Sequence, residues 1–124
     1  MKAKICTDRE QSKWLMKHGL DPKTADMGWF PEKDSPTALE CELTDALLSV
    51  GNFTPAWSFP QLMSLMPRRI DNGKFSLVMN EQKNAEIRYG VGTNMVSYEG
   101  KELVDAAVPM VAFLLLHHFI KRIN

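Results

Sequence analysis

At 124 residues the chain is long enough for one domain with a buried core, and 44% hydrophobic with 24% charged residues is the makeup of a folded protein, not a disordered one. Fifteen Lys and Arg balance fifteen Asp and Glu, which leaves no cationic footprint for nonspecific phosphate-backbone binding and no self-repulsion to oppose association. Two cysteines, Cys6 and Cys41, do not amount to a disulfide framework, and the start MKAKICTDREQSKW has no apolar signal core. The expected location is therefore cytoplasmic, with free thiols.

The first helix is expected over residues 8–18. Thr7 and Glu10 have the T-x-x-E spacing of a capping box, Gly19 supplies the left-handed stop, and Trp14 and Leu15 are the residues to bury. Residues 24–30 (TADMGWF) follow without periodicity, and 31–36 (PEKDSP) read as a proline-bounded connector. Leu39, Leu43, Ala46, Leu47 and Val50 then recur at helical spacing, with Thr37 and Glu40 as a second capping box and Gly51 as the stop. A short helix is expected over 59–66, started by Ser58 with Pro60 in its first turn and ended by Pro67; Leu62, Leu65 and Met66 form its buried face.

The period changes after Pro67. Strands are expected at 75–79, 86–91 and 95–98, joined by connections short enough for an antiparallel meander. The strongest hydrophobic segment is 103–120 (LVDAAVPMVAFLLLHHFI), in which 106–116 lack any polar side chain. Eleven residues fall short of the ~18 that a bilayer crossing needs, so this helix is expected to lie across the sheet, with Pro109 kinking or opening it. The fold class is α+β: a three-stranded antiparallel meander covered by a C-terminal helix, with additional N-terminal helices. One domain, 1–124, divides into a helical part at about 1–54 and an α-β-β-β-α part at about 55–124.

No constellation of chemical residues emerges. Cys6, His18, Cys41, His117 and His118 have no metal-ligand spacing, and adjacent histidines on a helix point about 100° apart. Asp26, Asp45 and Asp105 are scattered, and neither cysteine has a reactive context. Gly90–Val91–Gly92 lies between strands, where a turn or bulge explains it better than a phosphate cradle. No catalytic residue, metal or cofactor is expected. The candidates for an interaction surface are Trp29, in the aperiodic segment; Trp57, which also suits a hydrophobic staple before the short helix; and the basic pair Arg68 and Arg69.

Three pieces, ICTDREQSKWLMKHGLDPKTADMGW, PAWSFPQLMSLMP and LVDAAVPMVAFLLLHHFIK, together resemble a family of small uncharacterised proteins carried in prophages and mobile elements of gut bacteria. The first piece carries the resemblance on Gln11, Ser12, Leu15, Gly19, Leu20, Asp21, Thr24, Ala25, Asp26, Met27 and Trp29. The second carries it on Pro55, Ala56, Trp57, Ser58, Leu62, Leu65, Met66 and Pro67, the third on Leu103, Asp105, Ala106, Ala107, Met110 and Val111. Phe59 and Met63 depart conservatively, residues 31–54 make a longer connection than usual, and His117–His118 stand where a glycine ending is commoner. The resemblance implies a genomic setting and no catalytic residues. The expected function is that of a non-enzymatic accessory protein acting through protein–protein contacts, with a protein partner or itself as a homodimer. The alternative is a nucleic-acid-binding or antitoxin-like module, suggested by the α-β-β-β-α order but disfavoured by the near-neutral Lys101–Glu102 start of the last helix.

Overall fold

Helix α1 (Arg9–Lys17) begins one residue later than the T-x-x-E pattern implies. Its cap is Asp8, whose carboxylate accepts the Gln11 N–H at 2.7 Å while the Gln11 side-chain carbonyl accepts the Asp8 N–H at 3.1 Å. Thr7 cannot serve as the cap, because its hydroxyl is held in the core by Ser12 and Trp57. At the other end Gly19 takes φ 102°, and the Leu20 and Gly19 N–H groups donate back to the Leu15 and Met16 carbonyls, a complete Schellman stop. Leu15 is fully buried, but Trp14 is 41% exposed and lies against the His18 ring instead of in the core.

The computed structural model describes residues 4–31, 34–39, 48, 53–70, 73–90 and 95–123. Most of the helix expected from Leu39 to Val50, including Cys41 and Asp45, and most of the 90–94 connection lie outside the described residues. After a 3-10 turn (Pro22–Thr24), the aperiodic segment yields β1 (Met27–Trp29), the centre of a three-stranded antiparallel sheet with β2 (Thr37–Ala38) and β3 (Thr54–Ala56). Thr37 therefore opens a strand and does not cap a helix, and the N-terminal part is not simply helical. These strands are two or three residues long, too short to show the alternation by which a strand is read from sequence.

Helix α2 (Phe59–Leu65) matches its expected start. Ser58 Oγ accepts the Gln61 N–H, Pro60 sits in the first turn, and Trp57 and Leu62 on either side of the cap are both fully buried, as a staple requires. A second sheet follows, in the order β4 (Arg69–Ile70), β5 (Gly73–Met79), β6 (Ala85–Tyr89), β7 (Val96–Gly100). The meander β5–β6–β7 is the one expected; β4 is an addition that pairs Arg69 with Lys74 and Ile70 with Gly73.

Helix α3 (Leu103–Leu116) continues through Pro109 without opening. A proline there removes the bond to the Asp105 carbonyl, while the packing around the helix remains. Gly100 ends β7, and the helix starts three residues later at Leu103. The helix packs against β6 and β7 on one side and against α1 and α2 on the other, so Val108, Val111 and Leu115 are all shielded from water. Each such aliphatic side chain contributes about 1.5–3 kcal/mol of burial free energy. Gly100 permits the close seating: a Cβ there would fall 2.5 Å from Asp105 Cβ and 2.6 Å from its carbonyl carbon. The helix ends with a second Schellman stop in which His118, at φ 63°, occupies the left-handed position. His117 and His118 are both exposed, with the His117 ring against Phe113. Among the described residues no helix is long and apolar enough to cross a membrane.

Candidate functional site

The polar residues of the TADMGW segment act as fasteners. Thr24 Oγ1 accepts the Trp57 indole N–H at 2.9 Å and its own carbonyl accepts the Gln61 side chain at 2.7 Å. Asp26 accepts both the Ser58 N–H, at 2.8 Å, and the Ser58 hydroxyl, at 2.5 Å, and so orients the residue that caps α2. Trp29 donates its indole N–H to the Thr7 carbonyl at 2.9 Å, and the Arg9 guanidinium lies 4.8 Å over its ring. Thr7, wholly buried, exchanges a 2.7 Å bond with Ser12 and accepts the Trp57 N–H at 3.1 Å.

A second cluster ties Lys4 to α3. The Lys4 ammonium donates to Asp105 at 2.7 Å and to Asp8 at 3.3 Å, and the Gln11 amide donates to the same Asp105 oxygen at 3.0 Å. Partial burial works against both charges. It is outweighed by the hydrogen bond between them and by their mutual field, so the Asp105 carboxyl titrates below its usual value and Lys4 above its own. The Cys6 thiol is pushed up to about 11, first by burial and then by the nearby Asp26 charge. At neutral pH it is a protonated, unreactive thiol. Asp26, Asp105 and Cys6 are thus parts of the scaffold, and among the described residues no group of three or more His, Cys, Asp or Glu could hold a metal.

Of the four residues proposed for a surface, Trp57 is fully buried and offers none, and Trp29 is half-buried against Arg9. Arg68 and Arg69 are exposed. Arg68 lines a groove of about 540 Å³ with Pro60, Met63, Met66, Pro67 and Phe75, between α2 and the start of β5. Beyond Phe75, on the same face of the sheet, Leu77 is 39% and Met79 72% exposed, although their cross-strand partners Ile87 and Ala85 are buried. The cause is coverage: α3 packs mainly over β6 and β7, and the far half of β5 stays open to solvent.

The opposite sheet face is polar. Glu86 and Arg88 pair at 2.6 Å, and the Arg88 hydrogen bond holds the Glu86 carboxyl below its usual range. Asn80 donates to Glu99 at the rim of a groove of about 660 Å³. Leu77 and Met79 are absent from the candidates named by sequence reasoning. Alternation reveals which face a strand residue occupies, but not whether anything covers that face. A usable signal is the turn-favouring pair Asp71–Asn72 just ahead of Gly73, which points to a short strand before β5 and hence to a partly paired edge. Compared with this geometry in hand, no protein-family model, curated protein or solved structure matches the chain.

Proposed function

We propose that this chain is a non-enzymatic accessory protein that acts through protein–protein contacts at the open end of β5. The observation that carries the reading is the uncovered pair Leu77 and Met79, continuous with the groove of Met63, Met66 and Phe75 that Arg68 borders. Natural proteins seldom leave adjoining apolar side chains on a bare strand edge without a partner for them. The placing in a prophage or mobile element rests on the sequence resemblance alone. In keeping with binding over turnover, the carboxylates Asp26 and Asp105 are committed to structural hydrogen bonds. The nucleic-acid alternative draws less support. The first turn of α3 is occupied by the Lys4–Asp105 pair, and Arg68 and Arg69 make a small basic patch for phosphate.

A photo-crosslinking side chain placed at Met79 tests this in cells. It should give discrete protein adducts of defined mass, while the same probe at Lys13, exposed on α1, gives none. Equal diffuse labelling at both positions, or no adduct at Met79, would refute the reading.

A further inference from the structure

Resting on that reading, we infer that the partner at this edge is a second copy of the chain, paired antiparallel β5 to β5 about an axis at Val78. In an antiparallel ladder, alternate residues direct both backbone groups to the same side. The Lys74 carbonyl accepts the Gly90 N–H, so even-numbered residues of β5 face β6, while the Phe75 N–H donates outward to the Arg68 carbonyl at 3.0 Å. Leu77 and Met79 therefore present their N–H and C=O groups outward, beyond the end of β4, where no described backbone group pairs with them.

The edge from Ser76 to Met79 carries none of the usual guards, having no lysine, proline or inward charge. The other outer strand, β7, is guarded by Glu99 and followed by Lys101. An axis at Val78 sets Leu77 opposite the partner's Met79, and Met79 opposite the partner's Leu77. Each pair exchanges two backbone bonds, and the four exposed apolar side chains cover one another on a single face. Beyond Met79 each chain turns back toward β6, the Asn80 N–H donating to the Asn84 carbonyl, so the pairing is confined to Leu77–Met79 and stops short of the Arg68 backbone. An axis at Leu77 fails, because it would set Met79 against the partner's Phe75, whose N–H is already bonded to Arg68. Because the same strand is used on both sides, the contact closes at two copies and does not propagate.

Light scattering on the full chain over a dilution series tests this. The mass should rise from 14.1 kDa toward twice that value with concentration. Met79→Lys, at a site already open to solvent, should hold the mass at 14.1 kDa throughout with an unchanged melting curve. Leu77→Lys, at the other half of the contact and also open to solvent, should do the same. A wild-type chain that stays at 14.1 kDa at every concentration, or a dimer indifferent to Met79→Lys or to Leu77→Lys, would overturn the inference. A Met79 crosslink to a different protein would also overturn self-pairing while supporting the contact reading. Absence of any adduct there removes the reading itself.

Discussion

Replacing His118 by glycine should stabilise the fold. His118 holds φ 63° one residue past the cap of α3, where the Phe119 and His118 N–H groups donate to the Leu114 and Leu115 carbonyls at 2.8 and 3.2 Å. An L-residue in the left-handed region costs about 1–2 kcal/mol, and glycine escapes that cost but loses about 0.5–1 kcal/mol more to unfolded-chain entropy. The imidazole is exposed and makes no side-chain hydrogen bond among the described residues, so its removal subtracts none. The net gain is about 0.5–1 kcal/mol. In a chain of this length, 1 kcal/mol moves the melting midpoint by about 3–5 °C, so His118→Gly should melt about 2–4 °C higher by circular dichroism. His118→Ala keeps the Cβ and should melt near wild type. A glycine variant that melts at or below wild type, or an alanine variant that gains as much as glycine, would refute the argument from backbone strain.

Two other outcomes are expected. Gly100→Ala should cost about 1–3 kcal/mol, because the added methyl meets the Asp105 backbone, which cannot swing aside. The cost would appear as a lower urea midpoint at unchanged slope, and a midpoint equal to wild type would contradict the close seating of α3. Asp105→Asn should cost about 1–2 kcal/mol at neutral pH, from the charge-assisted bonds to Lys4 and Gln11. Asp105 titrates below its usual 3.8, so its contribution is complete above that value and fades as pH falls through the lowered one. The gap between wild type and variant should thus be flat near neutrality and close in acid; a gap that widened in acid would reverse the sign.

What the sequence discloses here is local. Ser58, Pro60 and Gly19 mark helix ends through bonds made within a few residues, and each is found in its expected place. The contiguous apolar run of α3 and the period-two pattern of the meander need no distant information either. The errors arise where two distant segments compete for one group. Thr7 and Asp8 are equally good caps by spacing, and only the arrival of Trp57, fifty residues on, takes the threonine hydroxyl away. The β1 ladder needs partners at Thr37 and Thr54 that its three residues do not announce. Trp57 and Trp29 look alike as aromatic residues outside regular elements, yet one lies in the middle of the core and the other at its margin. Thr24, Asp26, Ser58 and Asp105, which stand out in the sequence as polar residues of its motifs, prove to be fasteners of this kind, each tying one element to another.

The position of α3 between the meander and the two shorter helices governs the order of assembly on the ribosome. Ile87, Tyr89, Leu15 and Leu62 are all synthesised before the one element that roofs them. Until residues 103–116 emerge from the exit tunnel, the nascent chain carries a half-built interior exposed to water, and closure is a single late event. A stop codon or a ribosomal stall ahead of Leu103 would therefore release a sticky, protease-sensitive intermediate, not a smaller working protein.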